Sequence, residues 1–121
     1  MEEEPMNPTK DLELRFGDFS SPEKTPDWEL LKTRLPAGSR VSGEVVARYI
    51  FGIFLDIGVG FPALLEVIQF EEARRRRYNF EDYPAVGSTV TARVVSFRER
   101  VRQIDLTQLD PHPHLDGRSS A

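Results

Sequence analysis

Between residues 40 and 107 the chain alternates apolar and polar positions with a period of two, interrupted once by a long charged stretch. Val41, Gly43, Val45 and Ala47 alternate with Ser42, Glu44, Val46 and Arg48, which predicts a first strand with one buried face. Gly43 inside that strand marks a sharp coil or a close backbone approach. Ile53, Leu55 and Ile57 alternate with Phe54 and Asp56 in a second strand, and Gly58 and Gly60 punctuate a hairpin turn. A short third strand covers Ala63 to Val67. Ile68 to Tyr83 breaks the alternation, is rich in Glu and Arg, and predicts a short helix or irregular crossover closed by Pro84 and Gly87. Alternation returns from Thr89 to Phe97, with Val90, Ala92 and Val94 on one side. Arg98 to Arg102 is a charged turn, and Ile104 and Leu106 about Asp105 make a fifth strand.

Ahead of the barrel the period is helical. Thr25 can cap, Pro26 suits the first helical position, and Asp27 and Glu29 favour the positive end of the dipole. Trp28, Leu31 and Leu35 share one face, so a short helix over residues 25–35 should pack on the domain before Pro36 and Gly38 end it. Residues 1–24 hold Pro5, Pro8 and Pro22 among Glu, Asp, Ser and Lys, and read as an acidic, mostly disordered arm. Its one apolar cluster, Leu12, Leu14, Phe16 and Phe19, reads as a weak docking segment. The polar tail, residues 111–121, reads as flexible. Five short strands with one long crossover predict an all-β domain over residues 36–110. Closure into a barrel removes exposed edges, and the oligonucleotide/oligosaccharide-binding (OB) fold is the common solution of this size.

Composition narrows the function. The chain has 121 residues, the length of one domain, and a 39% hydrophobic share that fills one small core. Cysteine is absent, so there is no disulfide, thiolate metal site or cysteine nucleophile; a cytoplasmic location fits. No apolar run is long enough for a membrane span, and the acidic start is not expected to be a secretory signal. The net charge is -4. Residues 1–35 hold five basic and nine acidic groups, whereas residues 36–110 hold ten of each. The acidity belongs to the leader, and the barrel is neutral. Nucleic acid would not be bound by charge alone.

The residues carry a further signal. Gly38-Ser39-Arg40-Val41-Ser42-Gly43-Glu44-Val45 and Phe51-Gly52-Ile53-Phe54-Leu55-Asp56-Ile57-Gly58 resemble the opening and second strand of the S1 RNA-binding domain. Ala63-Leu64-Leu65-Glu66-Val67, Val86-Gly87-Ser88-Thr89-Val90 and Gln103-Ile104-Asp105-Leu106-Thr107 are similar to its later strands, in the same order and spacing. The resemblance covers about residues 36–109 and implies a five-stranded S1-like OB barrel that binds single-stranded RNA on the face of strands two and three. On such a face aromatic rings stack on unpaired bases, and donors and cations hold the backbone. Phe51 and Phe54 match the family aromatics, and Tyr49 and Phe61 extend the candidate platform. Phe54 is out of phase with Ile53, Leu55 and Ile57, so it is expected to point outward.

Three positions depart from the family. Its third-strand histidine is Glu66 here, its aspartate after strand four falls near Arg98, and its arginine before strand five aligns with Gln103 beside Arg102. Glu66 and Arg98 read as a paired swap on one surface. In water a carboxylate about 6 Å from a phosphate is repelled by less than about 1 kcal/mol. Each stacked base contributes about 1–3 kcal/mol, so two rings outweigh Glu66. Arg98, Arg100 and Arg102 are candidate phosphate contacts, joined by Arg74 and Arg77 of the run Arg74 to Arg77. The bland reading of that run is a solvated helix face, with Glu71–Arg75 and Glu72–Arg76 paired at four-residue spacing.

An enzyme is not expected. His112 and His114 alternate with prolines and lack a third ligand, so they are tail residues and no metal site. No serine stands by a plausible base, and no cofactor is implied. The leading reading is a single-stranded RNA-binding module without membrane contact, its oligomeric state left open by the sequence with a monomer favoured, serving as an accessory factor near a ribosome or RNA-processing protein. The alternative is a protein-protein interaction module on the same barrel. The acidic arm also has the means to occupy the barrel's own face and compete with RNA.

Overall fold

A computed structural model describes residues 8–110. The expectations for the acidic start and for the His112–His114 tail lie outside them. Helix α1 spans Pro8–Phe16, a 3-10 turn spans Pro22–Lys24, and helix α2 spans Thr25–Arg34. Strands β1 (Arg40–Tyr49), β2 (Gly52–Asp56) and β3 (Ala63–Glu66) follow. The crossover holds a short helix α3 (Glu71–Arg75) between 3-10 turns at Val67–Gln69 and Phe80–Asp82. Strands β4 (Thr89–Arg98) and β5 (Gln103–Thr107) complete a closed barrel of order β1-β2-β3-β5-β4. The β3–β5 pairing is parallel, and the other four pairings are antiparallel. This is the five-stranded OB-type barrel the alternation predicts.

Val45, Ile53, Leu55, Ala63, Leu65, Val94, Ile104 and Leu106 fill the barrel, each at most 2% exposed. Gly43 lets β1 and β2 cross closely: a Cβ there would lie 2.6 Å from the Asp56 carbonyl oxygen. Two bulges break the strict period of two. One sits between Val45 and Ala47 on β1, the other between Val94 and Ser96 on β4. The first exchanges the phase of β1, so Ala47 leaves the inward row of Val41, Gly43 and Val45 and pairs with Phe54 on the outer face.

The two barrel ends are closed by aromatic clusters. Where β3 begins, Trp28 of α2 lies edge-on to Phe61 and Phe97, with ring centroids 5.0 and 5.5 Å away. Where β3 finishes, Phe70, Tyr78 and Tyr83 of the crossover pack together, and Arg48 lies 4.5 Å above the Phe80 ring. Thr25 is not a helix cap. The 3-10 turn runs straight into α2, Ser21 caps that turn through the Glu23 amide, and the Thr25 hydroxyl accepts from Arg102.

The reading of residues 1–24 as a mostly disordered arm is corrected over residues 8–24. Leu12 is 1% and Phe19 2% exposed, so the apolar cluster does dock, while Leu14 faces solvent. The helix escaped the sequence reading because so few of its residues are apolar. Its order comes from the barrel surface beneath it.

Candidate nucleic-acid interface

Strand register defines the outer face. Glu44, Ala47 and Tyr49 of β1 pair with Asp56, Phe54 and Gly52 of β2. Phe54 and Gly52 pair in turn with Leu64 and Glu66 of β3, and Leu64 pairs with Asp105 of β5. Asp105 and Gln103 pair with Ser96 and Arg98 of β4. One surface therefore carries, in order, the β1–β2 aromatics, Glu66, Asp105 and Arg98.

The aromatic group is real, but only part of it is open. Tyr49 and Phe51 stack with centroids 5.4 Å apart and planes 4° from parallel. Phe54 meets both rings edge-on, at 5.9 and 6.2 Å. Phe51 is 38% exposed, against 8% for Tyr49 and 2% for Phe54. The expected outward phase of Phe54 is correct; its expected exposure is not. Its outward side meets the Tyr49 and Phe51 rings, and Ala47 and Leu64 flank it on the neighbouring strands. Tyr49 is likewise closed off, its hydroxyl donating to the Asp11 carboxylate of α1. Burial, and then that bond, raises the Tyr49 phenol above its ordinary pKa. Phe61 does not join the platform. It is buried beneath Trp28 at the end of the barrel, because the loop before β3 turns it toward α2.

The cations sort in the same way. The Arg98 Nε donates to Asp105 at 2.7 Å, and its Nη2 lies 3.4 Å from Glu66. These contacts raise the guanidinium pKa, chiefly through Asp105. The expected Glu66–Arg98 pairing therefore exists, with Asp105 as the nearer partner. Asp105 is the face residue that sequence reasoning left out; an arginine on one strand and a carboxylate on its neighbour was the available signal.

Arg100 is exposed in the β4–β5 turn. Arg102 is corrected: its guanidinium donates to the carbonyls of Phe19 and Ser21 and to the Thr25 hydroxyl, so it anchors the N-terminal segment. That task holds it in a left-handed turn conformation, φ 55°. Arg74 and Arg77 are exposed, and Arg74 lines a shallow groove with Val67, whose amide donates to the Phe51 carbonyl at 2.8 Å. The run straddles a helix end: Arg75 pairs with Glu71 at 3.6 Å and Arg76 with Glu72 at 3.4 Å, as the spacing predicts. Among the described residues, no helix is long and apolar enough to cross a membrane.

This closed five-stranded barrel is of the OB type, and solved structures similar to it include several of distant sequence. One is the uncharacterized protein MJ1198 from Methanocaldococcus jannaschii (TM-score 0.50, 18% identity, covering 64% of this chain and 96% of that one). A second is GSP13 from Bacillus subtilis (TM-score 0.50, 16% identity, 72% and 74% covered). A third is Mycoplasma genitalium RNase R (TM-score 0.51, 20% identity), where the match covers 72% of this chain but 15% of that one. No family model and no curated protein matches the chain in sequence.

Proposed function

We propose that this chain is a single-stranded RNA-binding module of the S1 type, acting without catalytic chemistry of its own as an accessory factor in translation or RNA metabolism. The observation that carries the reading is the open Phe51 ring. It stacks on Tyr49, and Gly52 beside it pairs with Glu66, which Arg98 reaches. A base stacked on Phe51 would leave its phosphates within reach of the Arg98 side of the face. RNase R, which contains this fold, has been solved in complex with ribose methylated single-stranded RNA, which supports the same ligand class here. With Arg98 already paired, stacking supplies more of the affinity than charge does.

Fluorescence anisotropy with an end-labelled, mixed-sequence 12-nucleotide RNA tests the reading. Phe51→Ala should weaken binding by at least about fivefold, the loss of one stacked base, and leave the fold intact because the ring is half-exposed. Unchanged binding would overturn it. The paired state of Glu66, Arg98 and Asp105 favours a second reading, a protein-binding face. In that case the full chain would not bind RNA at all.

A further inference from the structure

The same face that offers Phe51 is half-occupied by the chain itself. Helix α1 is fastened at two points. Asp11 accepts a hydrogen bond from the Tyr49 hydroxyl. One turn later the Arg15 fork reaches both strands, Nε to Asp56 at 2.9 Å and Nη2 to Glu44 at 3.0 Å. Tyr49, Glu44 and Asp56 all belong to the outer row, so α1 crosses β1 and β2 on their outer side. Leu12, between the two fastenings, is the one residue of α1 that is fully buried.

We infer that α1 is a displaceable cover over the aromatic face, so that RNA and α1 compete for it; this rests on the RNA-binding reading above.

Four observations carry it. The attachment is polar and shallow: Arg15 and Glu44 are 42% and 48% exposed, and exposed ion pairs hold little. An open cleft lined by Leu14, Val46, Ala47 and Tyr49 lies between α1 and β1. A nine-residue helix is too short to persist alone, so a lifted α1 would also unwind. The movable part has a defined end. Gly17 adopts φ +70°, the left-handed conformation that ends a helix, its amide donating back to the Glu13 carbonyl, and two residues later Phe19 is buried with its carbonyl held by Arg102. Residues 8–16 are the part that leaves, Phe16 giving up its edge contact to Phe19 at 6.2 Å between centroids, while everything from Phe19 onward stays on the barrel.

Lifting α1 changes the face in the direction that favours a base. Tyr49, stacked beneath Phe51, becomes accessible, turning a single open ring into a two-ring platform.

Two substitutions in the full chain separate release from charge. Arg15→Glu turns both strand contacts into repulsions, and Leu12→Asp removes the apolar contact. Each makes the protein more acidic, so simple attraction predicts weaker RNA binding; only release of the cover predicts tighter binding. With the same labelled 12-nucleotide RNA, both variants should bind at least about fivefold tighter than the unaltered chain, the gain of one stacked base. Amide hydrogen exchange should accelerate across residues 8–16 and stay slow in α2. Equal or weaker RNA binding with α1 released would overturn the inference and leave the RNA-binding reading standing. Protection of residues 8–16 unchanged in both variants would also overturn it, because α1 would then not be displaceable. Absence of binding by all three proteins would remove both.

Discussion

The two helices ahead of the barrel are attached by different physics. Helix α2 is held through Trp28, 1% exposed, whose ring fills the space above Phe61 and Phe97 and whose Nε1–H donates to Glu99 at 2.9 Å. Lys32 reaches the other oxygen of that carboxylate at 2.7 Å, and Leu31 adds apolar area. Helix α1 sets against this one buried leucine, a partly buried Phe16 edge-on to Phe19, one tyrosine contact and an exposed arginine fork. The first attachment excludes water from a large ring. The second largely exchanges one set of solvated contacts for another. A small barrel can thus carry one helix that is part of its core and another that is a removable surface element, although the two are separated by only a few residues.

The sharpest way to break this comparison is Trp28→Ala. Removing a buried tryptophan should cost about 3–5 kcal/mol and lower the urea midpoint of the whole domain. A loss confined to α2, with the barrel's cooperative transition unmoved, would show that α2 is no more integral than α1. Arg102→Ala comes next. It strips charge-assisted hydrogen bonds from the Phe19 and Ser21 carbonyls and the Thr25 hydroxyl, at the junction between the two helices. We expect a loss of about 2–3 kcal/mol in the same urea experiment, with faster amide exchange over residues 17–25.

Leu12→Ala should do less, lowering the free energy of local α1 opening, rather than of global unfolding, by about 1–2 kcal/mol. That is below the usual cost of a buried Leu→Ala change, because α1 can leave rather than tolerate a cavity. Its signature is local exchange over residues 8–16 with an unchanged global midpoint. Acid gives the smallest effect. Lys32 first, and then the Trp28 N–H, hold the Glu99 carboxyl below its ordinary pKa. A group depressed in the folded state stabilises at pH above its unfolded value, about 4.3, and loses that contribution as pH falls through the folded value. Trp28 fluorescence should therefore report a loosening of α2 below about pH 4, absent in Glu99→Gln. An acid response that persists in Glu99→Gln would place its origin elsewhere.

Much of the architecture was legible in the chain. Five alternating runs, the glycine turns and the charged crossover give the strands in order, and the start of α2 is marked by Pro26 and its acidic first turn. The Glu71–Arg75 and Glu72–Arg76 pairs follow from spacing alone, since helix geometry is local. The outer-face position of Phe54 was legible for the same reason, because a strand's period is fixed by its backbone. The site was less so. Phe61 and Arg102 stand in loops, where no period says which way a side chain turns.

Sequence by itself determined what is short-range in this protein: the strands in chain order, the start of α2, turn positions, the neutral barrel and the acidic leader. Tertiary structure alone decided which outward rings are open. The bulge at Val46 exchanges the phase of β1 without any change of composition to announce it. The docking of α1 rests on Tyr49, Glu44 and Asp56, residues 29–41 positions away in sequence, so a helix with one buried leucine gains its order only when the barrel is already closed. Exposure depends on what lies across from a residue in space, and a one-dimensional pattern carries that only where the partner is also its neighbour along the chain.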